Sequence, residues 1–203
     1  MSTSDGKIVV FGCGGHSRSV VDVLLSVRPD ASVVFVDANA RDGEQIFGFD
    51  VRRHYDLTNE SIFLALGDNV ERKELLVTLG DQNLISIISN SAHLGRCSRI
   101  APGCFLGNFC HIGPEAVIAK NTILNTASII EHEVTVGAHC HIGPNATISG
   151  RCRIGDLVFI GVGATVRDKI SICSEVIIGA GATVITDINE PGTYVGTPAR
   201  KIK

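Results

Sequence analysis

The segment Glu131-His132-Glu133 places an imidazole between two carboxylates. An imidazole titrates near neutral pH, so His132 could take the proton of an attacking amine or hydroxyl during group transfer. A carboxylate on the other ring nitrogen would hold the tautomer and stabilise the imidazolium as it forms. The spacing leaves open which glutamate does this, and a solvated histidine at a corner is the alternative.

A glycine-rich turn is the second chemically suggestive segment. Residues 12–17 read Gly-Cys-Gly-Gly-His-Ser, between an apolar run at 7–11 and a helix-like run at 17–27. Backbone N–H groups and the helix dipole converge at such a turn and favour a phosphate. Asp37 ends the next apolar run, where an acid would contact a ribose. We therefore expect the turn and Asp37 to hold a nucleotide.

The details of this turn favour a nucleotide-sugar over NAD. Ser17 stands where a strict dinucleotide fingerprint has its third glycine, and a domain with only four predicted strands is small for NAD. His16 is unusual in a simple phosphate turn. A polar cap on the following helix is the alternative interpretation of His16.

The second half of the chain is a repeat that must position these groups. An apolar branched residue returns every sixth position sixteen times, from Leu94 to Val184. A small or β-branched residue follows each one four positions later, and glycine directly follows eight of them. This strict period predicts a parallel β-helix, with the aliphatic residue inward and three hexads in each coil. We expect the glycines at the corners because glycine accepts a positive φ.

The first ninety residues alternate strands and helices, which predicts a small parallel α/β domain. The predicted strands are 7–11, 32–36, 62–66 and 84–88, and the predicted helices are 17–27 and 70–79. The expected domains are 1–91, 92–189 for the β-helix, and a tail at 190–203 that leaves the repeat.

Outward histidines of the β-helix extend the set of candidates. His139 and His141 bracket an inward Cys140, so strand alternation predicts that both face outward. His93 and His111 are eighteen residues apart and should stack one coil above the other. A zinc site would need three converging imidazoles, which this spacing does not provide, so we expect no metal.

Composition narrows the class of protein. The formal net charge of −3 argues against a nucleic-acid partner, and no apolar run approaches the length of a membrane span. The N-terminus lacks a signal-peptide pattern. The chain has no CxxC pair, and we expect reduced, structural cysteines in a cytoplasmic protein. Four cysteines occupy the small inward position of the repeat: Cys104, Cys110, Cys140 and Cys152.

These motifs together resemble one family. The turn at 12–17, the hexads from Leu94, the segment 130–133 (Ile-Glu-His-Glu) and the segment 196–200 (Gly-Thr-Pro-Ala-Arg) look like the sialic-acid/bacillosamine-type sugar O-/N-acetyltransferases. These are two-domain hexapeptide-repeat enzymes, and the closest resemblance is to the branch that acts on 4-amino nucleotide-sugars. The resemblance implies a Rossmann-like N-terminal domain, a left-handed parallel β-helix, and a homotrimer with acetyl-CoA between neighbouring β-helices.

The resemblance also implies roles for single residues. His132 would be the general base and Glu133 its support, and His141 would contact the thioester end of acetyl-CoA. Residues implied to hold the nucleotide-sugar are Gly14, Gly15, His16, Asp37, Ala38 and Gly67. Residues implied to line the cofactor groove, besides His141, are Gly150, Gly161, Gly179 and Ala180. The sequence departs from the family at Ala38, where a second acid often follows the first, which leaves UDP and GDP both open.

The expected activity is acetyl-CoA-dependent N-acetylation of the 4-amino group of a UDP- or GDP-linked deoxy amino sugar, for glycan biosynthesis. One alternative is O-acetylation of a sialic-acid-like sugar by the same apparatus. An alternative of another class is a non-catalytic scaffold that binds nucleotide-sugars. The intact pair of His132 and Glu133 argues against the scaffold.

Overall fold

The computed structural model describes residues 6–203. Residues 1–5, which the sequence assigns to the N-terminal domain and to a segment without a signal-peptide pattern, lie outside the described residues. The N-terminal half contains β1 (Ile8–Phe11), α1 (Gly15–Val27), β2 (Val33–Val36), β3 (Gln45–Ile46), β4 (Phe49–Arg52), β5 (Ser61–Leu64) and α2 (Asn69–Leu79).

The N-terminal sheet has five strands in the order β3-β4-β2-β1-β5. All pairs are parallel except β3 with β4, which form an antiparallel hairpin. The sequence does not predict this hairpin, since its strands are short. Its turn, Phe47-Gly48, has positive φ at both residues (53° and 82°) but lacks the usual Asn-Gly pair.

The α/β prediction for this domain is confirmed, and burial explains the continuous apolar strands. Alternate residues of β1 face opposite sides of the sheet, where Val10 packs with α1 and Val9 packs with α2. A parallel sheet covered on both faces has no polar side, so β1 and β2 are buried along their whole length.

The second half is a parallel β-helix, as its six-residue period predicts. Its first sheet contains β6 (Ile87–Ile88), β9 (Phe105–Leu106), β12 (Ile123–Leu124), β15 (His141–Ile142), β18 (Phe159–Ile160), β21 (Val176–Ile178), β23 (Gly192–Val195) and β24 (Arg200–Lys201). Its second sheet contains β7 (His93–Leu94), β10 (His111–Ile112), β13 (Ile129–Ile130), β16 (Thr147–Ile148), β19 (Thr165–Val166) and β22 (Thr183–Val184). Its third sheet contains β8 (Arg99–Ile100), β11 (Val117–Ile118), β14 (Thr135–Val136), β17 (Arg153–Ile154) and β20 (Ser171–Ile172).

Each coil visits the three sheets in turn and advances by eighteen residues. Ile123 therefore pairs with His141, and His141 pairs with Phe159. The aliphatic residues of the hexads form the buried core, except at the N-terminal edge, where Leu94 is 44% exposed. The four inward cysteines are buried as expected, and all seven cysteines are free thiols.

The predicted role of the hexad glycines is wrong. Glycines that directly follow the aliphatic residue, such as Gly95 and Gly113, do not have a positive φ. A Cβ at Gly113 would lie 2.5 Å from the backbone nitrogen of His132 in the next coil, so these glycines allow the coils to stack closely. Positive φ occurs two positions later, mostly at non-glycine residues such as Cys97 and Glu115.

Two predicted segments also differ from the structure. Of the predicted strand at 84–88, only β6 is a strand, and it pairs with β9 of the β-helix. The tail predicted to leave the repeat continues the first sheet, because β23 pairs in parallel with β21. The domain boundaries near residues 91 and 189 stay predictions. Within residues 6–203, no helix has the length and apolar character needed to cross a membrane.

Candidate active site

His132 and Glu133 form a hydrogen-bonded dyad at the corner between the second and third sheets of the β-helix. The Nδ1 of His132 lies 2.9 Å from Oε2 of Glu133. A carboxylate only accepts, so the ring proton lies on Nδ1 and the lone pair on Nε2. Of the two flanking acids that the sequence left open, Glu133 is the one that binds the ring. Both side chains are nearly half exposed, at 45% and 43%.

The next coil supplies two neighbours of this dyad that the motif did not reveal. Arg151 donates from Nε to the same Oε2 of Glu133 at 3.0 Å. The hydrogen bond from His132, together with Arg151, lowers the pKa of Glu133. Gly150 lies against the imidazole, since a Cβ there would be 2.5 Å from Nε2 of His132. The eighteen-residue period could have found both, because it places residues 150 and 151 directly above 132 and 133.

The predicted nucleotide residues gather at the carboxyl edge of the N-terminal sheet. The turn of residues 12–17 follows β1, Asp37 follows β2, and Gly67 follows β5 by two residues. Because these strands are parallel, their carboxyl ends share one edge, where α/β sheets bind ligands. Gly12 has φ of 100°, and a Cβ there would lie 3.1 Å from the Ala65 carbonyl oxygen, so this position requires glycine.

The backbone amides at the start of α1 are available to an anion. Gly14 is the N-cap and provides no side-chain cap, so the first N–H groups of the helix point out of its end. Ser17, in place of the third glycine, is buried and donates its hydroxyl to the Gly14 carbonyl at 2.7 Å. This hydrogen bond stabilises the turn and leaves its first backbone N–H groups free.

Asp37 is joined to the glycine-rich turn. Its Oδ2 accepts from the N–H of Cys13 at 3.1 Å, and its Oδ1 accepts from the N–H of Asn39 at 2.9 Å. Burial raises the pKa of this carboxyl, but the hydrogen bonds from Asn39 and Cys13 outweigh burial and lower it. The carboxylate keeps further lone pairs for a ligand. Ala38 is exposed beside it.

A cluster of neutral rings joins the two halves of the molecule. His141 donates from Nδ1 to the Gly67 carbonyl at 3.1 Å and accepts at Nε2 from the Asn125 amide at 3.2 Å. Burial lowers the pKa of His141 to about 4. The ring of His16 lies 6.0 Å from that of His141 and meets Phe105 edge-on at 5.2 Å. Burial and the neighbouring His141 lower the pKa of His16 to about 3.

Arg72 of α2 connects the loop at residues 66–68 to the β-helix. This guanidinium is 1% exposed, and among the described residues its hydrogen-bond partners are carbonyl and amide oxygens. On one side it donates to the carbonyls of 66–68, which include Gly67. On the other side its Nη2 donates to the carbonyls of His139 and Cys140, each at 3.0 Å. Loop and coil are therefore held in one arrangement.

A groove of about 690 Å³ opens beside this junction, between α2 and the first sheet of the β-helix. It is lined by Gly67, Asp68, Asn69, Val70, Lys73, Glu74, Leu157, Phe159, Glu175 and Ile177. Phe159 also meets the His141 ring edge-on at 5.1 Å. The groove therefore adjoins both the loop at residues 66–68 and the buried His141.

The remaining histidines show one confirmation and one correction. The rings of His93 and His111 stack at 5.0 Å, as the eighteen-residue spacing predicts. The strand alternation assumed for His139 is wrong, because His139 lies at a corner with φ of 60°, where it is buried against Asn121 at 2.9 Å. Among residues 6–203, no group of three or more His, Cys, Asp or Glu side chains could hold a metal ion.

The residues predicted for the cofactor groove lie on different edges. Gly161 stacks directly on Gly179 and Ala180, at the corner between the first and second sheets. Gly150 lies at the corner between the second and third sheets, against His132. His141 lies in the first sheet. One chain does not bring these residues together.

The dyad and the ring cluster are also separated within one chain. His132 lies at the corner between the second and third sheets, whereas His141 lies in the first sheet. In a three-sided coil the corner between two sheets is opposite the third sheet. The dyad therefore lies across the coil from His141 and from the glycine-rich turn.

Comparisons with known proteins agree with these features. Residues 7–79 match the family model described as the PglD N-terminal domain. The acetyltransferase domain of PglB from Neisseria gonorrhoeae is 29% identical and superposes with a TM-score of 0.90, over 97% of this chain and 99% of that chain. A mutant of the perosamine N-acetyltransferase from Caulobacter crescentus, in complex with CoA and GDP-perosamine, is 28% identical with a TM-score of 0.90 over all of both chains.

A curated sequence relative is an uncharacterised protein of Acanthamoeba polyphaga mimivirus, which is 32% identical over 134 residues. The match covers 63% of this chain and 26% of that larger protein. Together with the two-domain fold and the dyad, the matches confirm the resemblance that the motifs indicate. The chain has a PglD-type N-terminal domain, and along its whole length it resembles sugar N-acetyltransferases that join such a domain to a parallel β-helix.

Proposed function

We propose that this protein transfers the acetyl group of acetyl-CoA to the 4-amino group of a nucleotide-linked deoxy amino sugar. The observation that carries the proposal is the dyad, in which Glu133 holds the proton on Nδ1 of His132 and leaves Nε2 as a base. Similar structures support the two substrates, since the Neisseria domain was also solved with acetyl coenzyme A and the Caulobacter enzyme with GDP-perosamine.

In the proposed reaction the sugar amine attacks the thioester carbonyl, and a C–N bond forms. Nε2 of His132 takes the proton that the amine loses, and the Glu133 carboxylate stabilises the resulting imidazolium. The C–S bond then breaks, and the imidazolium returns the proton to the departing thiolate of CoA. Acetyl-CoA and the amine thus become CoA and the amide, with no metal in any step.

The nucleotide-sugar is proposed to bind at the carboxyl edge of the N-terminal sheet. The amides of Gly14, Gly15 and His16 would accept the diphosphate, since the end of α1 has no side-chain cap. Asp37 would contact the ribose through its remaining lone pairs. Ala38 and Gly67 would line the same site, and Ala38 contributes no charge to the choice between UDP and GDP.

We propose that the working enzyme is a homotrimer. The dyad and the glycine-rich turn lie on opposite sides of one coil, so a complete site needs His132 of one chain beside His141 and the turn of another. Acetyl-CoA would then lie between neighbouring β-helices, along Gly150 on one chain and along Gly161, Gly179 and Ala180 on the next. The thioester end would lie against the neutral ring of His141.

Complementation between two variants tests the shared site. His132→Ala and His141→Ala homo-oligomers are each expected to be nearly inactive. If each site takes one histidine from each of two chains, co-expression of the two variants restores part of the activity. Mixed oligomers without any gain in activity would contradict the shared site. Sedimentation velocity of the separate variants, which should both sediment as trimers, is the control.

Thiol release from acetyl-CoA tests the reaction itself, with UDP- and GDP-linked 4-amino sugars, their 4-hydroxy counterparts and free sialic acid as acceptors. We expect release only with a 4-amino nucleotide-sugar. Release with hydroxyl acceptors alone would replace this proposal with O-acetylation. No release with any acceptor, while nucleotide-sugar binding remains measurable, would indicate a binding scaffold.

A further inference from the structure

The corner that holds the dyad carries two more groups with a direct influence on it. Both belong to the next coil, where residues 150 and 151 lie above residues 132 and 133. The backbone joins these coils tightly, since the N–H of Arg151 donates to the His132 carbonyl at 3.0 Å. The positions of Gly150 and Arg151 relative to the dyad are therefore set by the main chain.

Arg151 and His132 share one acceptor atom. Nε of Arg151 and Nδ1 of His132 lie 3.0 Å and 2.9 Å from the same Oε2 of Glu133. Two donors on one oxygen restrict the carboxylate to one rotamer. Glu115 occupies the same corner position one coil earlier, and Glu131 belongs to the same corner. The hydrogen bond from His132 and, after it, the charge of Arg151 lower the pKa of Glu133.

Gly150 determines where the imidazole lies. A Cβ at this position would be 2.5 Å from both Nε2 and Cε1 of His132, so the ring occupies the space that any other residue would fill. The obstructed atoms belong to the end of a half-exposed side chain rather than to backbone. A larger residue at 150 would therefore displace the ring and leave the coil intact.

We propose that Arg151 and Gly150 are positioning residues for the acetyl transfer. Arg151 orients the Glu133 carboxylate toward Nδ1 of His132, and Gly150 leaves the space that the His132 ring occupies. This inference rests on the proposed function for its kinetic consequences, but not for the geometry of the dyad. This contact with the base is additional to the place in the cofactor groove that the resemblance implies for Gly150.

The role of Arg151 is tested by Arg151→Gln, with Lys169→Gln as the matched control. Lys169 has the same corner position one coil further on, with φ of 60°, and its loss removes the same charge. We expect kcat of Arg151→Gln to fall about 3- to 10-fold, as for the loss of one hydrogen bond, with little change in either KM. Arg151→Lys, which keeps the cation, should recover most of the loss. Equal rates for wild type, Arg151→Gln and Lys169→Gln would overturn the role.

A spectroscopic measurement separates this inference from the proposed reaction. The ¹⁵N shifts of the His132 ring in the trimer without substrates report which nitrogen carries the proton. We expect the Nδ1–H tautomer in wild type and in Lys169→Gln, and a mixture of tautomers in Arg151→Gln. An unchanged tautomer in Arg151→Gln contradicts the positioning role even if no acceptor sugar has been found.

Gly150→Ala tests whether Gly150 determines the position of the His132 ring. We expect a folded trimer whose kcat is about 10- to 100-fold lower, because a small displacement of a reacting group has that effect. Any rise in the KM for acetyl-CoA should be smaller than the fall in kcat. A normal kcat with a raised KM for acetyl-CoA would overturn the role of Gly150 in placing the ring and leave it a role in the cofactor groove alone.

Discussion

The dyad corner and the ring cluster use histidine in opposite ways. His132 is 45% exposed and shares a carboxylate oxygen with an arginine, so its ring lies at the surface beside charged groups. His16 and His141 pack among aromatic rings, and burial lowers their pKa values to about 3 and about 4. In the proposed reaction this difference separates two tasks, since the base is solvated and the enclosed rings stay neutral.

Removal of the solvated imidazole should have the largest effect on activity. His132→Ala is expected to lower kcat by about 10²- to 10⁴-fold, the usual contribution of a general base. The KM values of both substrates should change little, because binding uses other residues. Steady-state kinetics of thiol release measure both, and His93→Ala, at an exposed histidine of the second sheet, is the control. Near-normal turnover without His132 would remove the base assignment.

The second largest effect should come from Arg72, which holds the enclosed region together. Arg72→Met removes the guanidinium donors to the carbonyls of Asn121 and His139, and each unpaired buried group costs about 1–3 kcal/mol. We expect the free energy of unfolding in urea to fall by roughly 3 kcal/mol. Lys73→Met, the adjacent residue on α2, is the control and should stay near wild type. A small loss in Arg72→Met would show that the junction does not depend on the guanidinium.

The two regions also differ in how far the sequence predicts them. The dyad comes from consecutive residues, and the hexad period places it at a corner, so its location follows from local pattern. The ring cluster joins His16 to Phe105 and His141, which are far apart along the chain. No local pattern encodes how the N-terminal domain packs on the β-helix. In the sequence, Arg72 has no feature that distinguishes it from other cationic residues of a helix.

Some of the wrong predictions for the β-helix have a physical reason in the repeat itself. A period of six identifies inward positions, but it does not distinguish a glycine needed for close stacking from one needed for a positive φ. Strand alternation predicts an outward His139. Its φ of 60° places it in a corner instead, where the alternation of a strand does not apply. The hairpin of β3 and β4 is too short to give a periodic signal.

The dependence of stability on pH tests whether the enclosed histidines are buried in the neutral form. Burial lowers the pKa of His16 and His141 from an ordinary 6.5 to about 3 and about 4. The unfolded chain then binds protons that the folded chain does not, so stability is lost as pH falls from about 6.5 towards 4. We expect Tm to drop over this range, and His141→Asn to flatten the drop. His54→Asn, an exposed control, should reproduce the wild-type curve, and a flat wild-type curve would contradict the burial.

The smallest expected effect tests whether the enclosed region also binds substrate. His16 belongs to the glycine-rich turn and contacts Phe105 and His141 of the β-helix through its ring. His16→Ala should raise the KM for the nucleotide-sugar several-fold, roughly the loss of one packing contact of about 1 kcal/mol. The kcat should change less, because the base lies elsewhere. An effect on the KM of acetyl-CoA alone would mean that this ring serves the cofactor, and the division between a solvated base and an enclosed acceptor site would then fail.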